Sequence, residues 1–321
     1  MLVLMIKTSS MGDVIHSLPA LTDAKLAFPN MYCEWVIEES FSEIPTWHPA
    51  VSHVIPVAIR RWRKNWFKKL IRKERINFKN AIQNRSYDAV IDAQGLIKSA
   101  ALISRLATGV KHGGDMCSIR EPVASWWYDK RYAINKNQHA VQRIRSLFAK
   151  SLNYTLPKTM GDYGILQHFK KNQPIKTNNY LVFVHATTKG NKQWPETHWR
   201  TLINSLQSEG ITIKLPWGTH DEFLRAQRLA QDLSYVEVLP KLMLQEIAHI
   251  LIGAKAIISV DTGLSQLAAA LNCPNITLYG PTNVDLIGGY GHNQISVLSL
   301  QKNMAEISPE KIQLILKRLL K

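Results

Sequence analysis

Short runs of apolar residues alternate along the whole chain with longer stretches in which apolar positions recur every three or four residues. The runs at residues 2–6, 33–38, 53–57 and 89–92 predict four strands in the first half. Those at 180–185, 211–216, 236–239, 256–261 and 275–279 predict five in the second. Strands this short and this continuously apolar belong in parallel sheets covered by helices on both faces. The two series are divided by residues 153–179, rich in Pro, Gly, Asn and Lys and weakly periodic, which read as a linker. Residues 309–320 carry Ile312, Leu314, Ile315 and Leu319 on a helical period and read as a closing amphipathic helix. The pattern therefore predicts an α/β protein of two doubly wound domains facing across a cleft. Ligands in such sheets lie outside the carboxyl ends of the strands.

Composition agrees with this picture and narrows it. The chain has 321 residues, 45% of them hydrophobic, enough for two domains of about 150 residues each. Three widely spaced cysteines without a Cys-x-x-Cys argue against a disulfide framework or a cysteine zinc site. The opening run is apolar for only five residues after Met1, and no stretch approaches the ~20 apolar residues of a spanning helix. A soluble, cytoplasmic protein is expected. Charge changes the picture more. The net charge is +16, and residues 1–160 hold 24 basic side chains against 12 acidic ones. The first domain should meet something anionic: a phosphorylated substrate, a membrane surface or nucleic acid.

Residues 60–79 concentrate that charge, with ten basic side chains and one acid, Glu74. Trp62, Trp66, Leu70 and Ile71 recur at helical spacing between them, predicting an amphipathic helix that lies on a membrane or clamps a multiply charged molecule. Lys98, Arg120, His139 and Arg143 add positive candidates in the same half.

The first strand runs into Lys7-Thr-Ser-Ser-Met-Gly-Asp13, a small, hydroxyl-rich turn that lets backbone amides approach a ligand. Asp13 reads either as a helix cap or as a carboxylate placed for proton abstraction. His185-Ala-Thr-Thr-Lys-Gly-Asn-Lys192 forms a candidate diphosphate cradle before a helix that opens with Pro195. Asp261-Thr-Gly-Leu-Ser265 follows another strand, offering free helix amides to an anion and a carboxylate to hydroxyls. Glu222 is a candidate for hydroxyl recognition. The dinucleotide fingerprint Gly-x-Gly-x-x-Gly, a phosphate-binding loop, Asp-x-Asp and His-x-x-x-His are all missing. A nicotinamide-dependent oxidoreductase and a nucleic-acid-binding protein remain as rivals from other classes. The first lacks its fingerprint and the second a recognised module.

Lys7-Thr-Ser-Ser-Met-Gly-Asp-Val14, Asp92-Ala-Gln-Gly-Leu96, His185-Ala-Thr-Thr188, Lys214-Leu-Pro-Trp-Gly218, Ser259-Val-Asp-Thr-Gly-Leu-Ser265 and Leu278-Tyr-Gly-Pro-Thr282 resemble the bacterial lipopolysaccharide heptosyltransferases of glycosyltransferase family 9. The resemblance covers nearly the whole chain in order. The Arg60–Lys64 cluster brings it nearest the members that add the first heptose of the inner core, with addition of the second heptose as the near alternative. The resemblance implies a GT-B fold of two Rossmann-like domains, residues 1–160 for the acceptor and 161–308 for the donor, with a helix over 309–321 returning to the first. It implies inverting transfer of heptose from ADP-L-glycero-β-D-manno-heptose to the Kdo of Kdo-lipid A, at the cytoplasmic face of the inner membrane. No cofactor, metal or nucleic acid takes part. Carried over by motif, Asp13 is the catalytic base and Lys192 assists catalysis. Thr187, Thr188, Lys192, Glu222, Asp261, Thr262, Gly263 and Gln266 bind the donor. Ser10, Gly12, Arg60, Arg61, Arg63, Lys64, Lys98, Arg120, His139 and Arg143 bind the acceptor. Gln266 departs from the family's Asp-Thr-Gly-Leu-Ser-His, although glutamine can still donate a hydrogen bond.

Overall fold

The computed structural model describes residues 1–65, 67–170 and 178–320, which form two compact units, Met1–His168 and Phe169–Lys321. In the first unit β1 (Leu2–Ile6), β2 (Tyr32–Glu38), β3 (Val51–Val57), β4 (Ala89–Asp92), β5 (Lys111–Gly114) and β6 (Lys130–Tyr132) build one sheet in the order β3-β2-β1-β4-β5-β6. In the second, β7 (Tyr180–Val184), β8 (Thr212–Leu215), β9 (Val236–Val238), β10 (Ala256–Val260), β11 (Asn275–Tyr279) and β12 (Gln294–Leu298) repeat the plan as β12-β11-β10-β7-β8-β9. Every pairing is parallel. The central strands β4, β7, β10 and β11 are buried along their whole length, which is why they stand out as apolar runs.

The pattern missed β5, β6 and β12. The first reads Lys-His-Gly-Gly, the second is three residues long and mostly exposed, and β12 is only partly buried. Strands at or beside a sheet edge have little apolar surface to bury, so they leave no apolar run to detect. Within the expected linker, Leu166–Lys170 forms a short helix, and residues 171–177 lie outside the described residues.

Chain order reverses between β1 and β4 in one sheet and between β7 and β10 in the other. The loops leaving the carboxyl ends of those strands flank a switch point, where open α/β sheets form their crevice. The motif loops sit there. Lys7–Asp13 follows β1, and Ala93–Leu96 follows β4. His185–Lys192 follows β7, and Asp261–Gly263 follows β10.

One departure concerns the helices. The basic stretch is not one helix but two, Ile59–Lys64, capped by Asn65, and Lys69–Gln83, which begins after Lys68. Trp62 and Ile71 are buried as the stripe predicts, Leu70 is exposed, and Trp66 lies outside the described residues. The closing helix Pro309–Leu319 packs Ile312 and Leu316 into the core of the second unit beside Trp194, Trp199 and Ile203. The buried face of this helix completes the second unit.

Candidate functional site

Ser10 opens the short helix Met11–Ile15, and Asp13 closes a capping box: its Oδ2 accepts from Ser10 N at 2.9 Å and Ser10 Oγ at 2.7 Å. The cap and the cavity use the same carboxyl group, because Asp13 also lines a cavity of about 250 Å³ with Lys7, Asp92, Arg120 and Arg143. The cavity is built by long-range contacts. Gln94 Oε1, in the loop after β4, accepts from Thr8 N at 3.0 Å and Ser9 N at 3.2 Å. Lys7 Nζ donates to Ala93 O at 3.1 Å. Asp92 Oδ1 accepts from Gln94 N and Gly95 N, and its Oδ2 from the Tyr128 hydroxyl at 2.9 Å. Gly113 on β5 leaves room for that tyrosine, since a Cβ there would run into the ring.

The electrostatics separate the two carboxylates. Burial alone would push Asp13 up, but the Lys7 ammonium, the Ser10 hydrogen bonds and His16 outweigh it and hold the carboxyl below its ordinary value. Burial pushes Asp92 up against the hydrogen bonds it accepts. It pushes Lys7 and Arg143 down, both partly restored by Asp13. Asp13 is therefore ionised at neutral pH, a ready proton acceptor in a cavity rimmed by cations.

The other expected acceptor residues scatter. Arg120 and Arg143 line the Asp13 cavity, and Gly12 gives its carbonyl to His16 N. His139 caps the helix Ala140–Leu152 through Val141 N and meets His16 edge-on with ring centroids 5.2 Å apart, but does not line that cavity. Arg61 is engaged by Glu39 and Glu74, and Glu74 also takes the Trp62 indole N–H at 2.8 Å. Through Glu74, Arg61 pins the two basic helices together. Arg60 and Lys64 are exposed, while Arg63 and Lys98 line a separate, larger groove of about 790 Å³.

In the second unit Asp261 follows β10 and gathers several of the expected donor residues. Lys192 Nζ and Thr282 Oγ1 each reach its Oδ2 at 2.5 Å, and Thr187 Oγ1 donates to its backbone carbonyl at 3.2 Å. Thr262 caps the helix Gly263–Ala270 without a side-chain bond, leaving the first-turn amides to solvent or ligand. Thr188 is exposed beside this cluster in sequence. Glu222 is otherwise occupied: its Oε2 accepts from Gly218 N at 2.7 Å and Thr219 N at 3.2 Å, the capping box of the helix His220–Ala230. Gln266 is buried, and its Nε2 donates to Ile287 O at 3.2 Å. That amide ties one helix to the next turn of chain. Among the described residues no group of three or more His, Cys, Asp or Glu is placed to hold a metal ion.

Sequence reasoning passed over Lys7, Gln94, Tyr128 and Thr282 as individuals. Lys7, Gln94 and Thr282 stand inside the motif stretches, so proximity to strand ends could have found them. Tyr128 could not have been found, because its contact with Asp92 spans 36 positions and its neighbourhood carries no motif.

A family model described as glycosyltransferase family 9 (heptosyltransferase) matches residues 75–315. Lipopolysaccharide heptosyltransferase 1 of Escherichia coli (strain K12) is 57% identical over 312 residues, 97% of this chain and 98% of that protein. The solved structure of E. coli heptosyltransferase WaaC with ADP superposes with a TM-score of 0.96 at 56% identity, covering 99% of this chain and 100% of that one. The same enzyme with ADP-2-deoxy-2-fluoro heptose gives 0.93 at 55% identity, with 99% of each covered. Lipopolysaccharide heptosyltransferase 2 of E. coli (strain K12) matches over only 106 residues, at 31% identity.

Proposed function

The chain belongs to glycosyltransferase family 9, and from that membership we propose that it transfers L-glycero-D-manno-heptose from ADP-heptose to the Kdo of Kdo-lipid A, as a heptosyltransferase I. The near full-length identity to heptosyltransferase 1 supports the first-heptose reading over the second. The binding of ADP and of an ADP-heptose analogue by a relative 55–56% identical supports the donor. The acceptor is a lipid, so the protein works from the cytoplasm as a peripheral enzyme of the inner membrane. No helix among the described residues is long and apolar enough to span one.

In the proposed mechanism, Asp13 takes the proton of an acceptor hydroxyl, whose oxygen attacks the anomeric carbon as the bond to the diphosphate breaks. The anomeric centre inverts and ADP departs. The observation that carries this assignment is Asp13 in a cavity lined by Lys7, Arg120 and Arg143 at a switch point, where Lys7 helps hold its carboxyl below the ordinary value. A positioned base contributes ~10²–10⁴-fold, so the remaining acceleration falls to stabilisation of the leaving diphosphate. Lys192, Thr187, Thr188 and the amides at Thr262 and Gly263 supply it. Donor phosphates draw the Lys192 ammonium from Asp261, whose carboxylate is then left to hydroxyls of the heptose. Glu222, its Oε2 held by the cap, offers its second oxygen to the ribose. Arg60, Arg63, Lys64, Arg120 and Arg143 receive the acidic groups of the acceptor. No metal is required in this scheme, as charge on the leaving group is met by Lys192 and backbone N–H groups.

Incubation with ADP-heptose and Kdo-bearing lipid A, followed by mass spectrometry, tests the reading. One added heptose is expected. Addition only to an acceptor that already carries heptose would replace the first-heptose reading by the second, and no transfer to either would reject both.

A further inference from the structure

Apart from Arg63 on its rim, the larger groove of the first unit takes no part in the chemistry above. Its floor is apolar, made by Val57, Trp62, Phe78 and Leu106, and its lips include Ile76 and Leu102, exposed by 48% and 55%. Arg63, Arg72, Lys79 and Lys98 stand among the lining residues, and no carboxylate does. At about 790 Å³ it is as large as a small-molecule site. Phe67, also lining it, is 97% exposed at the break between the two basic helices, and Leu70 follows at 67%. Covering this phenylalanine and the neighbouring Leu70 with something apolar would be favourable. The only acid of residues 60–79, Glu74, is engaged by Arg61 and Trp62, so the sequence there is strongly positive around the groove.

We propose that this face docks on an anionic phospholipid bilayer: Phe67 and Leu70 enter the acyl boundary, the cations meet lipid phosphates, and one acyl chain lies in the groove. An anionic head over a hydrocarbon tail matches the combination of cationic lips and apolar floor. A nucleic acid would use the charge and leave the groove empty, and an acidic peptide would do the same with Phe67. The inference deepens the proposed function, since it rests on an enzyme that meets its lipid acceptor at the membrane, and it names the surface that does so. The groove and the Asp13 cavity are joined by one element: the helix Ile97–Leu102 lines the groove with Lys98 and Leu102, and Leu96 before it lines the cavity. Docking there would leave the catalytic loop close to the bilayer surface.

Co-sedimentation of the full chain with vesicles tests this, without substrate, at physiological salt. Vesicles of phosphatidylglycerol and phosphatidylcholine should bind it, and pure phosphatidylcholine vesicles should not. Arg72→Glu with Lys79→Glu should weaken binding by two orders of magnitude or more, since each surface cation contributes about fivefold and reversal counts twice. Phe67→Ser with Leu70→Ser, and separately Leu102→Glu, should each weaken it by about tenfold or more. Each variant should keep the wild-type thermal midpoint and its turnover on a soluble, de-acylated acceptor. Equal binding to both vesicle types would overturn the proposal. So would loss of binding on charge reversal alone with the apolar variants unaffected, which is plain adsorption of a cationic protein. Turnover is read separately from sedimentation, so a failure of the transferase reading and a failure of bilayer docking appear in different measurements.

Discussion

At the scale of single residues, the proposed base is a carboxylate kept charged while partly buried. Asp13→Asn keeps the shape and removes the base, so turnover should fall by ~10²–10⁴-fold with the donor Kd nearly unchanged, as measured by steady-state kinetics and calorimetry. The carboxyl sits below its ordinary value because Lys7 and Ser10 outweigh burial. A base with a depressed pKa stays active as pH falls, so the acid limb of kcat/KM should lie below the ordinary range of an aspartate. Lys7→Met removes the largest favourable influence on Asp13 and should move that limb to higher pH. An unmoved limb would separate Lys7 from Asp13.

His48 makes a second residue-scale case. Its Nδ1 accepts from Ala50 N at 3.1 Å, so Nε2 carries the proton toward Thr22 Oγ1 at 2.9 Å. Burial, aided by Lys25 and opposed by Asp162, lowers its pKa to about 4. The unfolded chain takes up this proton near pH 6.5 and the folded chain only near 4. Stability from this group is therefore complete above pH 6.5 and falls with decreasing pH, by about 1.4 kcal/mol per unit, until pH 4. The thermal midpoint should drop between pH 7 and 5, and less steeply in His48→Gln.

At the scale of elements, the helix Ala140–Leu152 is clasped to Leu18–Ala27 by Arg145, whose guanidinium reaches Asp23 at 2.6 and 3.2 Å with both side chains almost fully buried. The same guanidinium donates to the carbonyls of Thr159 and Pro157, so removing Asp23 strands a buried charge. Asp23→Ala should cost about 3–5 kcal/mol in chemical denaturation, with Met in both positions restoring part of it. The neighbouring lesson is the basic segment. Its period-3.6 stripe predicted one helix, and the chain breaks after Lys64 instead, letting Trp62 and Phe78 meet edge-on at 5.6 Å. Local periodicity could not anticipate that, because the packing partner is supplied by the sheet and the following helix.

At the scale of the molecule, the charge is divided by unit. Residues 1–160 carry 24 basic against 12 acidic side chains, and the rest 16 against 12, so the positive field belongs mainly to the first. Arg63→Glu with Lys64→Glu should raise the acceptor KM about tenfold and flatten its dependence on salt, leaving the donor KM unchanged. An equal rise in both would place these side chains outside acceptor binding.

The pattern of apolar runs and turn residues was sufficient by itself for the two parallel-sheet units, for the loops that carry Asp13, Lys192 and Asp261, and for the positive first half. Burial on both faces and the small residues of strand-end turns are local constraints, written where they act. Tertiary structure decided the rest. It brought Gln94 and Asp92 beside the Asp13 loop, occupied Arg61, Glu222 and Gln266 with the fold's own hydrogen bonds, and opened an apolar groove among the cations. Strand neighbours and side-chain partners are set by contacts across many residues, and a group's charge state follows from those contacts. No stretch of sequence, however distinctive, contains its own surroundings.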